Sequence, residues 1–115
     1  MQSLTRLGNT VGELLKTRME TLAVAESSAG GLINASLVAV PGASAYYLGG
    51  VIVYTYAGRE KLLGITNEEM KGMRSATEAY ARLVARRVRE KLGTPPKHGA
   101  RAQHATFDPV AARMF

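Results

Sequence analysis

The chain has 115 residues, enough for one small domain with a single core. It contains no cysteine, which excludes disulfides and thiolate metal centres and suits a reducing compartment. The only two histidines, His98 and His104, give little support to another kind of metal site, so we predict no metal and no cofactor. The net charge of +6 comes from residues 74–115, because residues 1–73 carry six Lys/Arg and six Glu.

The basic excess lies mainly in residues 74–93, which carry six basic and two acidic side chains. A basic helix can follow the phosphates of a nucleic acid. However, no aromatic residue is interleaved among Arg86, Arg87 and Arg89 to stack on bases. We therefore interpret this segment as a solvated helix face, and nucleic acid is not an expected partner.

In chain order, the apolar spacing predicts a helix, a strand and a second helix. Residues 4–19 have apolar side chains at helical spacing, whereas residues 21–26 form a short apolar run typical of a buried strand. The second helix is predicted over residues 31–40, where Pro41 and Gly42 end it. Its apolar side chains are expected in the core: Leu32, Ile33, Leu37 and Val38.

The second half of the pattern starts with a strand. Residues 50–56 are rich in β-branched and aromatic side chains and predict this strand. Residues 57–63 predict a short helix, residues 67–71 another with Asn67 as its N-cap, and residues 75–92 a long amphipathic one. Two strands among four to five helices predict the α/β class, but so small a sheet indicates that part of the fold is missing.

A membrane span is considered because residues 27–58 contain no charged side chain. The Pro41-Gly42 and Gly49-Gly50 pairs divide this stretch into pieces too short to cross a bilayer. We therefore expect two buried elements of a soluble domain and no membrane partner. The first residues carry no secretory pattern, so a cytoplasmic location is expected.

The residues that follow the first predicted strand form the clearest candidate site. Glu26, Ser27 and Ser28 end the strand in a carboxylate and two hydroxyls, and Gly30 and Gly31 lead into the next helix. Such a junction brings polar side chains and backbone N–H groups to one point, where anions and developing oxyanions are commonly bound. The same junction is also ordinary α/β scaffolding. Because apolar residues flank Glu26, we expect backbone N–H groups or a ligand to satisfy it.

Four motifs together resemble the CinA C-terminal domain, the competence-damage-inducible family. They occupy residues 21–31, 40–45, 48–55 and 62–65, in the order and spacing of the family. The resemblance covers residues 1–93 and implies a three-layer α/β/α sandwich, of which this chain has somewhat over half. Sequences of the family continue beyond this segment with further strands, so the domain is predicted to be truncated after about residue 93.

Characterised members of this family include nicotinamide mononucleotide amidases. The resemblance thus implies hydrolysis of the carboxamide of nicotinamide mononucleotide, giving nicotinate mononucleotide and ammonia. It implies a Ser nucleophile with a nearby Lys as base. The Ser falls on Ser44, whereas the Lys falls on Arg59, which is always protonated and cannot act as a base. The other positions that match the family motifs imply substrate contacts: Glu26, Ser27, Ser28, Gly30, Gly31 and Tyr54.

Three functions stay open at this point. The first is a Ser/Lys amidohydrolase that acts on a small nucleotide. The second is a non-catalytic nucleotide or anion binder, since Arg59 can hold a phosphate bidentately. The third is a truncated family member with little function, whose uncovered apolar faces would favour a homo-oligomer. Residues 94–115 match nothing in the family and are predicted as an irregular tail. The first two functions require Glu26, Ser44 and Arg59 to share one pocket.

Overall fold

A computed structural model describes residues 2–75, 77–93 and 103–107. They form four α-helices, three strands and one short 3₁₀ turn in an alternating order. In chain order the elements are α1 (Gln2–Arg18), β1 (Thr21–Glu26), α2 (Leu32–Val38), the 3₁₀ turn (Ala43–Ala45), β2 (Tyr47–Ile52), α3 (Tyr56–Leu63), α4 (Glu78–Leu92) and β3 (Gln103–Phe107). Among the helices of these residues, none combines the length and the hydropathy that a membrane span requires.

The three strands form a parallel sheet in the order β2-β1-β3. Side chains of β1 alternate between its two faces and enter two separate clusters. Ala23 and Ala25 pack with residues of α3 and α4: Leu63, Tyr80, Val84 and Val88. Leu22 and Val24 pack with residues of α1, α2 and the link before β2: Leu15, Leu37, Val40 and Tyr46. Helices on both faces of a parallel sheet confirm the predicted α/β class and its three layers.

The prediction of an irregular tail is wrong for residues 103–107. These residues form β3, which pairs in parallel with β1 from Thr21↔Gln103 to Ala25↔Phe107. Five residues are too few to establish a strand period, and this strand is defined by a partner far away in the sequence. The remaining tail, residues 94–102 and 108–115 with His98, lies outside the described residues.

The second strand begins earlier than the predicted residues 50–56. β2 spans Tyr47–Ile52, and the Val53 N–H donates to the Glu26 carbonyl at 2.8 Å where the two strands end. Pairing with β1 sets these limits, which the β-branched and aromatic content of residues 50–56 does not reveal. Thr55 then caps α3 by accepting a hydrogen bond from the Gly58 N–H at 3.1 Å.

The helix predicted over residues 67–71 is a run of turns instead. Thr66 rather than Asn67 caps it: its hydroxyl accepts from the Glu69 N–H at 3.1 Å, and its own N–H donates to Glu69 Oε1 at 3.2 Å. This reciprocal pair is a capping box. Arg87 of α4 donates to the carbonyls of Leu63 and Gly64 and pairs with Glu69, so the turns are fixed to α4.

Part of the predicted core of α2 is exposed. Leu37 is buried as expected, but Leu32 and Val38 are about half exposed, as are Leu7 and Leu14 of α1. α2 contacts β1 and β2 along one side and α1 along another. Helical spacing identifies apolar residues correctly, yet it does not tell which of them a neighbouring element covers.

Candidate functional site

The parallel sheet separates the predicted site residues into two groups. Ser44 belongs to the 3₁₀ turn just before β2, at the edge where the strands begin. The Leu22 N–H donates to the Tyr46 carbonyl at 2.8 Å, and Lys16 Nζ donates to the Pro41 carbonyl at 2.7 Å. These bonds tie the turn to the start of β1 and to the end of α1. We call this edge the amino edge; Ser44 is exposed there.

Glu26, Tyr54 and Arg59 lie at the opposite edge, the carboxyl edge. Glu26 is the last residue of β1, and α3, which holds Arg59, starts just after β2 ends. The length of β2 alone separates Ser44 from this edge by about 16 Å, at about 3.3 Å per residue. The pocket predicted to join Glu26, Ser44 and Arg59 therefore does not form within the described part of one chain.

The carboxylate of Glu26 binds the start of α2 and is fully buried. Its Oε1 accepts from the Ile33 N–H at 3.0 Å, and its Oε2 accepts from the Asn34 N–H at 2.8 Å. This confirms the expectation that backbone N–H groups satisfy Glu26. The first N–H groups of α2 are thus used within the chain, and the anion at this helix start is Glu26 itself.

Asn34 holds the same carboxylate from the side. Its Nδ2 donates to Glu26 Oε2 at 2.6 Å, while its Oδ1 accepts from the Tyr47 hydroxyl. Burial, and to a lesser degree the charge of Glu26, raises the pKa of Tyr47, so the hydroxyl keeps the proton that it donates. A Cβ on Gly50 would lie 1.8 Å from Asn34 Oδ1, which explains glycine at this point of β2.

The glycines after Glu26 shape the turn between β1 and α2. Gly30 and Gly31 have φ angles of 65° and 100°, a region that favours glycine. The Gly30 N–H donates to the Ser27 carbonyl at 3.1 Å, and the Leu32 N–H donates to the Ala29 carbonyl at 3.2 Å. Ser27 and Ser28 are partly exposed in this turn. The junction is thus closed largely by its own backbone.

Arg59 is a buried cation with an unsatisfied donor. Only 5% of the residue is exposed, and its Nε has no hydrogen-bond partner among the described residues. None of the ion pairs in the described chain includes it. The guanidinium carbon lies 4.7 Å from the ring centre of Tyr56 and 5.7 Å from that of Tyr80. These cation–π contacts offset part of its desolvation but provide no acceptor.

Two exposed aromatic rings lie near this arginine in the chain. Tyr54 and Tyr56 are each 73% exposed and flank the N-cap of α3. Arg59 faces the α4 side of the sheet, because it contacts Tyr80 of α4, whereas Glu26 faces α2 on the other side. In the described residues, no cluster of His, Asp and Glu has the composition of a metal site.

Four residues with contacts at these sites were not predicted from the sequence: Asn34, Tyr47, Tyr56 and Tyr80. Asn34 could have been noticed in the sequence, because it and Ser36 are the two polar residues of a mainly apolar helix that closely follows Glu26. Tyr80 follows the apolar spacing of α4 and is indistinguishable from an ordinary core residue in the sequence.

Comparison with known proteins identifies the family. The family model for the CinA C-terminal domain matches residues 4–95. The chain belongs to this CinA family. A CinA-like protein from Synechocystis sp. is 44% identical over 88 residues, which are 76% of this chain and 21% of that protein. A CinA-like protein from Nostoc sp. is 39% identical over 88 residues, with the same coverage of both chains. The chain thus spans about a fifth of the length of these CinA relatives.

Solved structures of CinA proteins share the fold. A CinA superfamily protein from Escherichia coli superposes with a TM-score of 0.70 at 22% identity, covering 76% of this chain and 51% of that chain. A CinA superfamily protein from Klebsiella pneumoniae gives a TM-score of 0.72 at 24% identity, covering 79% of this chain and 57% of that chain. The predicted CinA-type fold, present in incomplete form, is confirmed.

Proposed function

We propose that this chain is a CinA family member that binds the phosphate of a small nucleotide at Arg59 and does not hydrolyse a carboxamide on its own. The observation that carries this proposal is the buried guanidinium of Arg59, whose Nε has no partner among the described residues. A phosphate monoester supplies the missing acceptor atoms and the missing negative charge.

The energetics of burial support an anionic ligand. A buried charge without a counter-ion costs several kcal/mol, and proteins usually pair it or bind an ion to it. A guanidinium offers a planar fork of donors that matches two phosphate oxygens. Since no carboxylate of the described chain pairs with Arg59, an external anion is the simplest partner.

The surroundings of Arg59 favour a ligand with an aromatic ring as well as a phosphate. Tyr56 covers the guanidinium with one face of its ring and is itself 73% exposed. Tyr54, equally exposed, is two residues away in the chain. The family resemblance implies nicotinamide mononucleotide as the substrate, and this nucleotide contains both a pyridine ring and a phosphate monoester. We therefore take this nucleotide as the first ligand to test.

Hydrolysis of the carboxamide by the family's Ser/Lys pair requires the base at the Lys position to lie beside Ser44. Ser44 lies at the amino edge, whereas Arg59, which stands where the family has its Lys, lies at the carboxyl edge. A guanidinium keeps its proton at any physiological pH. Lys61 is exposed in the same helix as Arg59, so it also belongs to the carboxyl edge. We expect no ammonia from nicotinamide mononucleotide above the level of a Ser44→Ala variant.

Isothermal titration calorimetry tests the binding proposal. We expect heat with nicotinamide mononucleotide and none with nicotinamide riboside, which lacks the phosphate. Arg59→Met should lower the affinity at least about tenfold, because a charged hydrogen bond contributes about 1.5–3 kcal/mol. Met keeps the apolar stem packed, so a normal melting curve separates lost binding from lost folding. Arg82→Met, on the exposed face of α4, is the matched control and should bind normally.

Two results would refute the proposal. The first is unchanged affinity in Arg59→Met. The second is the absence of heat with the nucleotide and with inorganic phosphate. Ammonia release that Ser44→Ala abolishes would instead establish the amidase and overturn the non-catalytic part of the proposal.

A further inference from the structure

The first turns of α3 and α4 lie together at the carboxyl edge. α3 starts just after β2 ends, and its Arg59 contacts Tyr80 near the start of α4. Further along both helices, the carbonyls of Leu63 and Gly64 accept hydrogen bonds from Arg87 of α4. The two helices therefore run in the same direction, and both have their N-terminal ends at this edge.

The guanidinium of Arg59 lies between these two helix ends. Its carbon is 4.7 Å from the ring centre of Tyr56, the first residue of α3, and 5.7 Å from that of Tyr80, in the first turn of α4. Each helix N-terminus carries about half a positive charge, on N–H groups that have no partner within the helix. Together with the guanidinium, the local charge is about +2.

No negative group within the described residues balances this charge. α3 has no acidic residue in its first turn, and none of the ion pairs in the described chain includes Arg59. Glu78 is the first residue of α4, but its carboxylate is exposed and pairs with Arg82 at 2.5 Å. α2 differs, because the carboxylate of Glu26 binds its first N–H groups. The ends of α3 and α4 thus have room for an anion that α2 does not have.

The backbone at these two ends offers hydrogen-bond donors. Thr55 caps α3 and Thr77 caps α4, each by accepting from an N–H group in the first turn. The N–H groups one position after each cap, those of Tyr56 and Glu78, have no acceptor among the residues that the structure describes. N–H groups in this position of a helix commonly bind phosphate oxygens.

We propose that the first turns of α3 and α4, together with Arg59, form one site that selects the doubly charged phosphate of a monoester. The site rests on the phosphate binding proposed above and defines its substrate class. A phosphate monoester carries a charge of about −1.5 to −2 at neutral pH, which matches the charge of about +2 between the two helices. A phosphodiester or a sulfate monoester carries a single negative charge and is bound more weakly. The preferred ligands are therefore nucleotides with a terminal phosphate.

Proline at the first position of each helix tests the N–H contacts. Tyr56→Pro removes an N–H group and a ring, whereas its control Tyr56→Ala removes the ring alone. Glu78→Pro and Glu78→Ala form the equivalent pair in α4. Since Thr55 and Thr77 have extended backbones, proline fits after each of them without breaking the helix. In calorimetric titrations with nicotinamide mononucleotide, each proline variant should bind about tenfold more weakly than its alanine control.

Phenyl phosphate and phenyl sulfate test the charge with two ligands of similar shape. We compare them by calorimetry on the natural chain at about pH 8, well above the second pKa of a phosphate monoester at about 6. Phenyl phosphate should bind at least about tenfold more tightly, because its second negative charge lies within the same positive site.

The outcomes separate this site from the proposed function. Equal affinities of the proline and alanine variants at either position, or of the two phenyl esters, would overturn the two-helix site. If Arg59→Met weakens binding in that case, phosphate binding at Arg59 stands and only the two-helix site is refuted. Unchanged affinity in Arg59→Met refutes the proposed function itself. If a proline variant loses its cooperative melting curve, the two phenyl esters decide.

Discussion

Glu26 and Arg59 are the two charged side chains that are buried in the described chain, and their surroundings differ completely. Three donors from α2 hold the carboxylate of Glu26 at 2.6 to 3.0 Å. The guanidinium of Arg59 touches two aromatic rings, and its Nε has no partner within the described residues. A charge that its own chain satisfies belongs to the scaffold, whereas one left unsatisfied indicates a place for a ligand. Substitution of Glu26 should therefore mainly lower stability, whereas substitution of Arg59 should mainly weaken ligand binding.

The largest expected effect is at Glu26. Glu26→Ala leaves two backbone N–H groups and the Asn34 amide without their acceptor in a buried place. We expect a loss of about 3–5 kcal/mol in the free energy of unfolding, as for other broken buried charge networks. Urea denaturation measures it, with the exposed Glu68→Ala as control. A fully stable Glu26→Ala that also binds ligand normally would contradict the scaffold role.

Gly50 tests the same network from the opposite strand. Gly50→Ala places a Cβ 1.8 Å from Asn34 Oδ1 and 2.5 Å from the Val24 carbonyl oxygen. Because the carbonyl belongs to the buried central strand, we expect a loss of about 1–3 kcal/mol. Gly30→Ala is the comparison: its Cβ meets nothing within 4 Å, so only the strain of a φ near 65° opposes it. Equal melting temperatures for Gly50→Ala and the natural chain would exclude a tight contact here.

Arg59→Met should change the free energy of unfolding little. Any change should be an increase, whereas Glu26→Ala lowers this free energy. Replacing a buried unpaired charge by an apolar side chain of similar length is neutral or stabilising, by up to about 2 kcal/mol. We expect a thermal unfolding midpoint equal to or above that of the natural chain in ligand-free buffer. A clear fall in the midpoint would mean that Arg59 has an internal partner and serves the scaffold, as Glu26 does.

The smallest expected effect is at Glu69, because this residue is exposed to solvent. The hydrogen bond from Arg87 lowers its pKa below the ordinary 4.5, helped by the Thr66 N–H. A lowered pKa stabilises the folded chain above pH 4.5, and this stabilisation is lost as the pH falls through the folded-state pKa. Glu69→Gln should therefore show a smaller loss of stability on acidification than the natural chain. Glu68→Gln, which removes the carboxylate of its exposed neighbour, is the matched control.

Much of the fold follows from local patterns. Thr21–Glu26 was predicted with its observed limits, since a short apolar run between polar ends permits little else. The end of α4 at Leu92 was predicted from Gly93, whereas the helix begins at Glu78, after its cap Thr77, and not at the predicted residue 75. β3 was not predicted, because a five-residue strand is defined by the sheet edge that it joins rather than by its own side chains.

The candidate site was predicted less completely, for a topological reason. The motif around Ser44 and the position of Arg59 can be identified in the sequence, and the family resemblance led to the prediction that they share a pocket. The predicted strand already separates the two in the sequence, and the parallel pairing of β1 and β2 then places Glu26 at the edge of Arg59 and away from Ser44. Similarly, the carboxylate of Glu26 suggests ligand contact until α2 is seen to bind it.

The order of strands also determines how this chain can assemble during synthesis. β1 and β2 leave the ribosome close together and can pair early, but the partner on the other side of β1 is encoded far downstream, from Gln103 onward. Until those residues emerge, β1, whose six residues are all buried in the folded chain, has one side open to chaperones and to neighbouring nascent chains. Slow translation across residues 94–102 would lengthen that interval, so codon choice there should influence how much of the protein is recovered in native form.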